Sequence, residues 1–160
     1  MKTVFVAAAL TCISAVVSAQ TGAPADLPTQ ARAAKRIVVG RVLDVQGQFQ
    51  KNRFGDQLIV SNVLLEVSET MKGEPAPLVR LAVEGGTVGD LTLRVSDLPE
   101  LHPGDHGVFF LDDDGNGGHV PHDRGRGLLK LSAAGRVEGT TLTVDDIRQQ
   151  VRGALGQGAR

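Results

Sequence analysis

Short runs of β-branched and aliphatic residues, each closed off by glycine or proline, constrain this chain more than any other feature. Ile37-Val38-Val39-Gly40-Arg41-Val42-Leu43-Asp44-Val45 predicts a strand with Ile37, Val39, Leu43 and Val45 on one face. Residues 46–56 read as a polar loop. A second, longer strand is expected at about 57–67, where Ile59, Ser61, Val63, Leu65 and Val67 share a face, and its length suits a strand that curves. Met71-Lys72-Gly73-Glu74-Pro75 breaks the chain before a shorter strand at 78–83, which Gly85-Gly86 ends. Leu91–Val95 alternates again. After the turn His102-Pro103-Gly104-Asp105, the run Gly107-Val108-Phe109-Phe110-Leu111 predicts a central strand buried on both faces, with at least one phenylalanine in the core. An acidic turn at 112–118, a strand at 128–131 and a last hairpin arm near 136–142 complete the β pattern.

The end of the chain changes period. Thr143 fits a helix cap, Asp145 and Asp146 place negative charge in the first turn, and Val144, Ile147, Val151 and Leu155 recur at helical spacing before Gly156. Many short strands, glycine-rich turns and one amphipathic helix predict a mainly β fold, a small closed or partly open barrel. The helix is expected to cover an edge or an open end of it.

The other end reads as an address. Lys2 is followed by an apolar run from Val4 to Val17, and Val17-Ser18-Ala19 offers the residues a signal peptidase reads, so residues 1–19 are expected to be a signal peptide and Gln20 the mature start. The run is shorter than the roughly 20 residues a membrane span needs. Cys12, the only cysteine, lies inside it, which leaves a mature chain without a disulfide. Thr11 before that cysteine, and apolar residues after it, argue against a lipid anchor. Residues 20–34 read as a flexible leader ending in a helical turn at 30–34, and residues 35–160 as a single domain. The expected location is secreted or periplasmic.

Charge and aromatic content narrow the ligand classes. Removal of Lys2 leaves 16 basic and 18 acidic residues, a balance that argues against a polyanion partner. Nine acidic residues and one basic residue lie between Glu84 and Asp123, whereas seven basic and three acidic follow from Arg124, a pattern that fits either a dipolar surface or solvated loops. With no tryptophan or tyrosine, and only Phe49, Phe54, Phe109 and Phe110 in the mature chain, the usual stacking platform for single-stranded nucleic acids or sugars is missing.

The order Ile37-Val38-Val39-Gly40-Arg41-Val42, Leu65-Glu66-Val67 with Lys72-Gly73-Glu74, Gly85-Gly86-Thr87-Val88-Gly89, then Pro103-Gly104-Asp105 before Val108-Phe109-Phe110-Leu111 resembles a group of exported bacterial proteins of unknown function, over about residues 35–155. In layout it is also similar to the OB-type barrel of netrin modules and tissue inhibitors of metalloproteinases. The resemblance implies an OB-like barrel. It does not carry the inhibitory mechanism, which places an N-terminal cysteine on zinc, because the mature chain has no cysteine.

Two constellations carry metal chemistry. Asp112, Asp114, Asn116 and Gly117, with Gly118 following, fit the first half of the calcium-loop pattern, and Asp123 falls at its twelfth position. Alternate oxygens of a tight turn suit a hard cation. The same Asp-Gly and Asn-Gly steps also make an ordinary charged hairpin turn, and no helices flank the loop. His102, His106, His119 and His122 lie within twenty-one residues at spacings that zinc or copper sites use, but they flank turns, and surface-turn histidines without a shared duty are the simpler reading. Serine elbows, zinc-protease helices, phosphate loops and a mature cysteine nucleophile are absent from the sequence.

Together these observations predict a non-catalytic binding module that needs no cofactor to fold. Its expected partner is a protein or envelope component, with no nucleic acid and no membrane span. The alternatives are a calcium-responsive module using residues 112–123 and a small hydrolase with a dispersed site.

Overall fold

The computed structural model describes residues 26–51 and 54–156. The expected signal peptide and the first part of the leader lie outside them. The chain is mainly β, with eight strands, two α-helices and one short 3-10 helix (Arg124–Gly127) among the described residues.

Helix α1 (Leu27–Ala33) begins where Asp26 accepts hydrogen bonds from the Thr29 backbone and hydroxyl, with Pro28 at a first-turn position that needs no N–H. Leu27, Ala31 and Ala34 are buried, so the packed unit begins before the expected boundary at residue 35. Lys72 fastens the end of this helix. Its ammonium donates to the carbonyls of Ala31, Arg32 and Ala34 at 2.9, 2.8 and 2.6 Å, a cation on the negative end of the helix dipole.

Strands β1 (Arg36–Lys51) and β2 (Gln57–Lys72) form one long antiparallel hairpin. Residues 46–51, expected as loop, are strand: their backbones pair with 57–62, while their polar side chains stand in solvent on an arm with little core to face. The alternation expected in β1 is also corrected. Register shifts lie between Ile37 and Val38, Val39 and Gly40, and Val42 and Asp44, so Leu43 is an extra residue in a bulge and its side chain is exposed. Val38 and Val42 consequently share one core while Ile37 faces another. In β2, which has no such shift before Leu65, Ile59, Ser61, Val63 and Leu65 are buried together as their spacing predicts.

Strand β3 (Leu78–Glu84) pairs with β2, and the short hairpin β4 (Gly86–Val88) and β5 (Leu91–Leu93) stands apart as its own two-stranded sheet. Strand β6 (His106–Asp113) pairs with β1 along one side. On its other side it pairs with β8 (Leu128–Leu131) through residues 106–109 and with β7 (His119–Pro121) through residues 111–113. A single parallel bridge, Leu81 to His119, joins β3 to β7. The sheet thus runs β1-β2-β3-β7-β6 and returns to β1, a closed ring with β8 as a spur. The expected arm at 136–142 contributes only isolated bridges.

Two cores result. Inside the ring lie Val38, Val42, Val63, Leu65, Val79, Leu81, Val83, Phe109 and Leu111, with Leu101 inserted from the loop before β6. Outside it, α1 and helix α2 (Val144–Gly156) pack over Ile37, Val108, Phe110 and Leu129 through Ala31, Ile147, Val151 and Ala154. Both phenylalanines are fully buried, one in each core, as expected of a strand covered on both faces. Helix α2 therefore covers a face of the sheet beside α1, rather than an edge or an open end. Thr143 and Asp146 close its first turn reciprocally: Asp146 N–H donates to the Thr143 hydroxyl at 3.2 Å and Thr143 N–H donates to the Asp146 carboxylate at 2.9 Å. Arg148 ties the helix to the sheet through a two-pronged contact with Glu69 at 2.9 and 2.6 Å.

Candidate functional site

A polar groove of about 490 Å³ lies on the outer face of β1, β2 and β3. Strand register builds it. Asp44 sits opposite Leu64, and Leu64 opposite Arg80; Gln46 sits opposite Asn62, and Asn62 opposite Ala82. Two rows of side chains thus cross three strands on the face turned away from the ring interior. Leu64 and Ala82 are the half-buried floor, and Asp44, Gln46, Asn62 and Arg80 are exposed around it. The loop between β6 and β7 supplies the opposite wall through Asp114, Asn116 and Gly118, joined by His119 at the start of β7.

The acidic loop is organised by its own backbone. One oxygen of Asp114 accepts the N–H groups of Asn116 at 2.7 Å and Gly118 at 2.9 Å, and these bonds hold its carboxyl below the usual aspartate range. Gly115 and Gly117 take the left-handed conformation that the turn requires. Asp112 faces elsewhere: one oxygen accepts from the Lys35 N–H at 3.3 Å, and the other lies 2.8 Å from His122 Nδ1. Asp123 is left-handed and paired with Arg126 at 3.2 Å on the surface. Of the calcium-loop positions, the structure brings Asp114, Asn116 and Gly118 together, and turns Asp112 and Asp123 toward other partners.

The four histidines are likewise separated. His102 sits beside Asp105, with Nδ1 3.7 Å from the carboxylate, and His106 opens β6 opposite Arg41. His119 bonds the Arg80 carbonyl through Nδ1 at 3.2 Å, sealing the one-bridge join between β3 and β7. Among the described residues, no three histidine, cysteine, aspartate or glutamate side chains gather as a metal site.

The two serines of β2 are engaged. Ser61 donates to the Gly85 carbonyl at 2.8 Å and Ser68 to the Val39 carbonyl at 3.1 Å, so neither hydroxyl is offered to a base. Arg80 differs. Among the described residues, nothing pairs with its guanidinium, although it lines a groove that also holds Asp44 and Asp114.

Asp44, Asn62 and Arg80 do not stand out in the sequence, because each is an ordinary polar position in an alternating strand. Their gathering depends on cross-strand register, and the Leu43 bulge shifts that register. Among the described residues, no helix is long and apolar enough to cross a membrane. Neither the family models nor the curated protein sequences compared with this chain match it.

Proposed function

We propose that the protein is an exported, non-catalytic binding module built on an OB-like barrel, related to the exported bacterial proteins its motif order resembles. In this reading, the groove over β1, β2 and β3 holds a polar segment of a partner protein or envelope component. The ring order β1-β2-β3-β7-β6-β1 supports the OB-like assignment. OB-type barrels bind ligands on the face of their second and third strands, beside the loop joining the last two, and the groove occupies the corresponding position.

The observation that carries the reading is the Arg80 guanidinium, unpaired among the described residues, whose five donors in a planar fork suit a carboxylate of the bound segment. Asp44 and Asp114 on the same groove suit an amine or amide close by. A polyanion fits poorly, since these two carboxylates oppose the one arginine and, among the described residues, no phenylalanine, tyrosine or tryptophan lines the groove.

The test is capture of partners from the native envelope by the wild-type protein and by Arg80→Ala and Asn62→Arg variants. These outward positions leave the core intact, so the variants should melt with the wild type. Both should lose a partner that the wild type retains. Identical capture by all three proteins refutes the groove as the binding surface.

A further inference from the structure

A second concavity, of about 460 Å³, opens where the β4-β5 hairpin and the segment 94–103 arch over one end of the ring. Its floor is apolar: Val45, Val63 and Val83 come from the ring, and Val95, Leu98 and Leu101 from the arching segment. The volume falls within the roughly 300–1,000 Å³ range of small-molecule pockets.

The polar groups around it are already partnered. Ser61, deepest among them, gives its proton to the Gly85 carbonyl at 2.8 Å. Thr87 and Thr92 bond each other across the hairpin at 2.9 Å. Arg94 pairs with Glu100 at 2.9 Å, and Glu84 with Arg124 at 3.1 Å. His102 lies against Asp105. Each charge at the rim thus faces its opposite, and a charged ligand would have to displace one of these pairs or enter the apolar floor unpaired. An uncharged apolar ligand strands no donor or acceptor.

The backbone around the opening also has specific requirements. Gly86 has a φ of 123°, and a Cβ there would lie 2.1 Å from Ser61 Oγ; a Cβ on Gly47 would lie 2.1 Å from the Thr87 carbonyl oxygen. The two glycines let the hairpin lie directly on β1 and β2, and so form the wall.

We infer that this cleft is a binding site for a small, uncharged, predominantly apolar molecule, separate from the polar groove. The probe is N-phenyl-1-naphthylamine, a neutral apolar fluorophore, titrated into the purified protein. Saturable one-to-one binding is expected, with dodecanol competing at least tenfold better than dodecanoate or dodecylammonium. Val95→Asp places a charge in the floor at a half-buried loop position and should weaken probe binding at least tenfold. Leu78→Ser alters an exposed apolar residue outside the cleft and should leave it unchanged. If Val95→Asp unfolds the protein, Leu98→Asp serves in its place.

Absence of saturable binding overturns the inference. So does equal competition by the ionic chains, which would indicate no preference for a neutral ligand. Undiminished binding in a folded floor variant, or loss in Leu78→Ser, would place the probe elsewhere and overturn it as well.

Discussion

Phe109 and Phe110 are consecutive residues that serve different cores, one inside the ring and one beneath the helices. Truncation of either ring to alanine should cost about 3–5 kcal/mol. Urea unfolding of the two variants checks this, and an effect confined to one of them contradicts the two-core arrangement. The unbroken apolar run made a strand covered on both faces legible in the sequence, with at least one of the two rings in the core; that both are buried is added by the structure. The facing of Leu43 was not legible, because a bulge reverses parity through the backbone and leaves no mark in residue type. The acidic loop lies between these cases. Its turn chemistry was readable, whereas the engagement of Asp112 by His122 and Lys35 arises from tertiary contacts. With one Asp114 oxygen accepting two N–H groups, millimolar calcium should leave the melting temperature unchanged, and Asp114→Ala should lower it equally with and without the ion. A calcium-dependent rise would support the calcium-loop reading instead.

Helix α2 was visible at the level of the element, from its cap, its acidic first turn and its apolar spacing. Its docking site was not, because Arg148 and Glu69 lie 79 residues apart and their pairing is set by the fold. The Arg148 guanidinium bonded to Glu69 is the main cause holding that carboxyl below its ordinary value of 4.5, with partial burial acting the other way. A carboxyl more acidic in the folded chain makes the unfolded chain the better proton binder. The resulting stability is present above about pH 4.5 and is lost as pH falls through the folded value. Arg148→Ala should therefore melt lower than wild type near neutrality and approach it in acid. A gap that stays constant from pH 7 to 3 would show that packing, not charge, fixes the helix. Lys72 does for α1 what Arg148 does for α2, using three carbonyls instead of a carboxylate.

In the whole molecule, the polar groove and the apolar cleft are built from the same three ring strands, one on the outer face and one at an end. Strand β6 contributes to both cores, so neither can dissolve while the other stays packed. Thermal unfolding followed at the backbone and by calorimetry should give one coincident transition; two separated transitions would mean that the helical layer melts alone. The ring also carries a kinetic consequence. Ile37 must meet Phe110, and Leu81 must meet His119, before the circuit is complete. A chain emerging from its N-terminus can form β1, β2 and β3 as one antiparallel unit early, but its two outer edges, on β1 and β3, stay open until β6 and β7 arrive. During that interval the nascent protein exposes strand edges that a like chain can pair with, which makes the half-made molecule, more than the finished one, the form in need of a chaperone.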